Sequence, residues 1–104
     1  MHQLRPAEAR EFAAEHDAQW LDVREPWEYE LVHLPDAILI PLQSLPGRVA
    51  EMKRDRPVIV YCHHGMRSLM AAQWLEQMGL ETVCNLAGGI DAWATELDSS
   101  LPRY

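Results

Sequence analysis

A chain of 104 residues is long enough for one domain with a real core and too short for two. Its 48% hydrophobic and 24% charged residues match an ordinary globular protein, and no apolar run approaches the ~18 residues of a membrane-spanning helix. A net charge of −7 argues against a nucleic-acid partner, whose phosphates need a basic face. Met1–Pro6 lacks the apolar stretch of a signal peptide, so no membrane association and a cytoplasmic location are the default expectations.

Taken in chain order, strands and helices alternate. Leu4-Arg5 ends a short extended start, and Pro6 suits a first helical position. Ala9, Phe12, Ala13 and His16 then recur at helical spacing. Gln19–Val23 reads as a short strand, and Glu25-Pro26 opens one or two helical turns to Leu31. His33–Asp36 is a turn, with His33 bonded to backbone. Ala37–Ile40 suits a buried parallel strand, stopped by Pro41. Leu45, Val49 and Met52 share one helical face, with Ser44 as the expected N-cap. Val58–Tyr61 is an apolar strand, and Ser68, Ala71, Ala72, Leu75 and Met78 make the clearest helix. Gly79 is placed to end it, with Leu80 as the accompanying apolar contact. Thr82–Leu86 is a further strand, and Gly88-Gly89 reads as a flexible turn. Ile90–Trp93 begins a last helix, and residues 98–104 read as a loosely packed tail.

This order predicts an α/β fold: one domain over 1–104, with a mostly parallel central sheet of about five strands and helices on both faces. Ligands bind such sheets beyond the carboxyl ends of the strands. Cys62 follows one strand, and Asp22 and Arg24 close another, so all three belong to the same sheet edge. Between Cys62 and Arg67 lie His63, His64, Gly65 and Met66, with Ser68 beyond. A helix N-terminus favours an anion in front of it, and a thiolate is one. Ser68 is the expected helix N-cap. Cys84 sits mid-strand and reads as core, so no disulfide with Cys62 is expected. Adjacent histidines on a tight loop should point apart, so no metal and no cofactor are expected. The four tryptophans read as core or rim packing, since nothing basic interleaves them.

Cys62–Ser68 resembles the active-site loop of the rhodanese-like sulfurtransferases. The resemblance spans nearly the whole chain. Leu21–Tyr29 is similar to that family's Asp-Val-Arg segment. His33-Leu34-Pro35 and Ala37–Pro41 are similar to its His-Ile-Pro-Gly-Ala-Ile-Asn-Ile-Pro stretch. Leu86–Trp93 is similar to its Gly-Gly-x-x-x-Trp ending. The chain departs at Val32 and Asp36, where the family has glycine, and at His63, where many members carry arginine or lysine.

The resemblance implies a rhodanese-like fold and a sulfur transfer. Cys62 would take a sulfane sulfur from thiosulfate or a persulfide and pass it to cyanide or a thiol, a protein thiol included. His63, His64, Gly65, Met66, Arg67 and Ser68 would shape the substrate site. Asp22 and Arg24 would support it from behind. Arg67 would hold the donor's sulfonate or orient the loop. Two other readings compete: a non-catalytic binding or sulfur-carrier module, and a cysteine phosphatase or arsenate reductase. The latter use loops of the C-x5-R type, whereas four residues separate Cys62 from Arg67, giving a smaller cradle.

Overall fold

The computed structural model describes residues 1–104. Five parallel strands form one sheet: β1 (His2–Leu4), β2 (Gln19–Asp22), β3 (Ile38–Leu39), β4 (Val58–Tyr61) and β5 (Val83–Leu86). Their spatial order is β1-β5-β4-β2-β3, so β4 lies at the centre with β5 and β2 beside it. Leu21 faces Val60, and Ile59 faces Cys84. Every residue of β4 and β5 is buried, as expected of strands covered on both faces.

Side-chain alternation divides the core in two. Leu21, Val58, Val60 and Val83 point to one face, against α4 (Met66–Gln77) and α3 (Leu45–Arg48). Ile59, Tyr61, Cys84 and Leu86 point to the other, against α1 (Pro6–His16) and α5 (Gly89–Glu96). The short α2 (Pro26–Leu31) follows β2 at its carboxyl end. No helix is long and apolar enough to cross a membrane.

Local chemistry explains most boundaries. Proline occupies the start of α1 and of α2, where its missing N–H costs nothing. Gly79, at φ 94°, ends α4: its N–H donates to the Glu76 carbonyl and that of Leu80 to the Leu75 carbonyl, a Schellman closure. Asp36 adopts φ 63° in the turn before β3, a left-handed conformation that aspartate tolerates.

Several expectations need correction. The helix sought over 45–52 is a single α turn between two 3₁₀ turns, Leu42–Ser44 and Val49–Glu51. Gly47 weakens it, the backbone leaves the helical range at Arg48 (φ −128°), and the Ser44 side chain caps nothing. Its intended face survives, with Leu45 and Met52 buried. The apolar run 37–40 yields only a two-residue, half-buried edge strand, although Ile40 itself is fully buried. His16 is exposed and lies outside the α1 stripe. The loosely packed tail also fails: Tyr104 folds back onto α2 and the loop after β4, and Arg103 bonds Asp91.

Candidate active site

Cys62 stands one residue beyond β4, and the chain turns at once into α4. Its Sγ accepts three hydrogen bonds: from the Gly65 N–H at 3.1 Å, the Ser68 Oγ at 3.3 Å and the Ser68 N–H at 3.4 Å. The residue is only 1% exposed, yet its sulfur is ringed by donors rather than by carbon alone. Ser68 is therefore not the helix N-cap. Gly65 holds that position at φ 103°, and the Ser68 hydroxyl is free for sulfur. Each such donor at a helix N-terminus stabilises an anion by about 0.3–1 kcal/mol when exposed, and more when enclosed.

The loop's inward N–H groups require its carbonyls to find partners elsewhere, and α5 supplies them. The Ile90 N–H donates to the Cys62 carbonyl at 2.9 Å, and the Asp91 N–H to the His63 carbonyl at 3.1 Å. Two helix N-termini thus converge on one loop, α4 on the sulfur and α5 on the carbonyls. This contact explains Gly88-Gly89, which is no loose turn. A Cβ on Gly89 would sit 2.3 Å from the His63 carbonyl oxygen and 2.5 Å from that of Cys62. Asn85 adds a further tie, its Nδ2 donating to the Gly65 carbonyl at 3.2 Å.

Asp22 and Arg24 occupy the same edge, fully buried and paired through Arg24 NH2 and Asp22 Oδ2 at 2.7 Å. Arg24 also donates to the Val32 carbonyl and to the Tyr104 hydroxyl at 2.8 Å. That hydroxyl in turn donates to Glu28 Oε2 at 2.6 Å. Glu28 grips Arg67 with both oxygens, at 2.7 and 2.9 Å. One chain of charged hydrogen bonds therefore runs from β2 through Tyr104 and α2 to the first turn of α4. Burial alone would raise the Glu28 carboxyl, but bonds from Arg67, Tyr104 and the Glu25 N–H, with the Arg67 charge, hold it at about 2. Burial and the bond to Glu28 push the Tyr104 phenol up to about 12.

Glu28, Tyr104 and Asn85 were not singled out in the sequence. Glu28 had a local signal, since it lies three residues after Glu25 and accepts that residue's N–H at 3.0 Å as a helix-start partner. Tyr104 had none, because its partners are 76 and 80 residues away.

His63 and His64 do not point apart. Their rings stack at 3.8 Å, and the other contact of His63 is the Tyr104 ring, also at 3.8 Å. Burial, and then His64, lower the His63 pKa and keep the ring neutral. One ligating atom each of His63, His64 and Asp91 fall within 4.8 Å of one another, the grouping that could hold a metal ion. Arg103 already bonds the Asp91 carboxylate at 2.9 Å, so a metal there would compete with it. Met66 is exposed beside the loop, and both cysteines are free thiols, with Cys84 buried in β5. His33 bonds the Tyr29 carbonyl, as expected of a turn histidine.

Known proteins share this sequence and fold. A family model described as the rhodanese-like domain matches residues 5–96. A sulfurtransferase of Allochromatium vinosum is 40% identical over 83% of this chain and 80% of its own length. A thiosulfate sulfurtransferase of Pseudomonas syringae is 33% identical over 86% of this chain and 85% of its own. Among solved structures, a rhodanese-related protein of Thermoplasma volcanium superposes with a TM-score of 0.85 at 32% identity, covering 93% of this chain and 94% of that one.

Proposed function

Because the chain belongs to the rhodanese-like family, we propose that it is a sulfurtransferase whose Cys62 carries the transferred sulfur. The observation that supports this best is the triple donation to Sγ from Gly65 and Ser68. In the first half-reaction the Cys62 thiolate attacks the outer sulfur of thiosulfate or a persulfide, and sulfite or a thiol leaves. The resulting persulfide is again an anion, so the donors that hold the thiolate hold it too. In the second half-reaction cyanide or a thiol, small or on a protein, attacks that sulfur and restores Cys62.

Arg67 orients this loop through Glu28. Phosphatase-type loops resemble C-x5-R, whereas only four residues separate Cys62 from Arg67, and both ends of this guanidinium are bound by Glu28. The reading favours sulfur over phosphate for that reason.

Intact-mass spectrometry tests it. Incubation with thiosulfate and, in parallel, with an organic persulfide should add about 32 Da per sulfur, and a cyanide chase should remove it. Cys62→Ser should accept none. An adduct that persists in that variant would place the sulfur elsewhere.

A further inference from the structure

The loop offers a sulfur nucleophile with no uncompensated positive charge beside it. Arg67 is the loop's cation, held charged first of all by its bond to Glu28. It is also within reach of solvent, its side chain being 37% exposed. Yet both terminal nitrogens are bound by Glu28, which is itself only 3% exposed. Glu28 is not readily displaced. The Tyr104 hydroxyl and the Glu25 N–H fix its two oxygens, and taking Arg67 away would leave a buried carboxylate uncompensated.

Other cations do not substitute. At the same edge Arg24 is fully buried on Asp22, Arg103 bonds Asp91, Arg5 pairs with Glu96, and His64 faces Asp91 at 4.0 Å. Lys53, Arg54 and Arg56 precede β4, at the opposite end of the strands from Cys62. Burial lowers the His63 pKa, and the ring is stacked between His64 and Tyr104. The surface next to Arg67 is apolar instead. Met66 and Met70 are exposed on α4, and Met70 lines a groove of about 270 Å³ with Leu42, Leu45, Pro46 and Trp74. Thioethers and aliphatic carbon suit an organic leaving group better than sulfite.

We propose that Glu28 is a specificity-determining residue, which by neutralising Arg67 selects an organic persulfide over the thiosulfate dianion as sulfur donor. This rests on the sulfurtransferase reading. The Cys62 thiolate attacks the outer sulfur of R–S–SH. A new bond joins Sγ to that sulfur, and the donor's S–S bond breaks. The bonding pair leaves with R–S, which takes the proton of the outer sulfur and departs as R–SH. Cys62 is left as the persulfide anion, and no external oxidant or reductant is needed.

The experiment measures loading of Cys62 by intact mass, with cysteine persulfide and thiosulfate supplied separately at equal concentration and constant pH. The persulfide should load the wild-type protein faster by about tenfold or more, the factor that the charge interaction of one lost ion pair commands. In Glu28→Gln, which retains a helix-start acceptor but no charge, the ratio of the two rates should shift by about tenfold toward thiosulfate. Equal or faster wild-type loading from thiosulfate overturns the proposal, as does an unshifted ratio in a folded variant. A second measurement needs no variant. An exposed cation that attracts a dianion makes loading slow as salt rises. Thiosulfate loading of the wild-type protein should instead stay level or quicken with added sodium chloride, and a several-fold fall overturns the proposal. Loading by neither donor overturns the sulfurtransferase reading itself, a result distinct from loading by thiosulfate alone.

Discussion

The two ends of the sheet are built differently. At the amino end, the largest surface cleft, about 470 Å³, is lined by Asp17, Gln19, Trp20, Asp36, Lys53 and Arg56 among others. Its ion pair, Arg56 with Asp17, is open to water, with Asp17 87% exposed. At the carboxyl end there is no comparable hollow around Cys62. Instead, two helix N-termini, a buried ion pair and a bidentate Glu28–Arg67 bridge meet within one loop's reach. Size of concavity therefore does not mark the chemistry of this fold. The candidate site lies where backbone N–H groups converge and where buried charges are paired.

The sharpest way to break that contrast is at Gly89. Gly89→Ala drives a methyl group into two loop carbonyls at a residue with φ 64°, and should destabilise the protein by at least about 3 kcal/mol. Urea denaturation measures it, and sulfur loading should fall with it. Arg24→Leu should cost a similar amount, about 3–5 kcal/mol, because it leaves Asp22 buried and uncompensated. A loss under about 1 kcal/mol there would mean that the pair does not hold this sheet edge together.

The Glu28 carboxyl makes the comparison pH-dependent. Its folded value of about 2 lies below the ordinary 4.5, so the stability it confers is complete above about pH 4.5 and is lost as pH falls toward 2. The amount is about 2–3 kcal/mol for a side chain this buried. Urea midpoints between pH 2 and 6 should fall more steeply for the wild-type protein than for Glu28→Gln. At the amino end the expected effect is smallest. Lys53→Ala should shift stability by no more than about 0.5 kcal/mol and leave sulfur loading unaltered. A clear loss of loading would show that the cleft contributes to function after all.

How far the sequence reads correctly depends on the range of the interaction. The strand into Cys62, the helix after it, the Gly79 stop and the proline starts were legible because propensity and capping act within four or five residues. The convergence of Cys62, Asp22 and Arg24 on one edge was legible too, since parallel strands align their carboxyl ends. The segment 42–52 was misread because apolar spacing was weighed above Gly47, a poor helix former, and the α turn ends at Arg48 before a 3₁₀ turn. The tail was misread because a polar, proline-containing stretch has no local reason to order.

What the sequence alone determined is a parallel α/β domain with a cysteine at a helix N-terminus and four residues between it and an arginine. Tertiary structure alone decided what that arginine does. Its partner Glu28 is 39 residues away, and the Tyr104 that steadies Glu28 is 76 residues from it. Only the approach of α2, α4 and the last residues brings them together. The same holds for Gly89, whose missing Cβ matters because α5 presses its N–H groups against the Cys62 loop. Spacing can place a thiol before a helix, but the charges it faces are set by packing between elements distant in the chain.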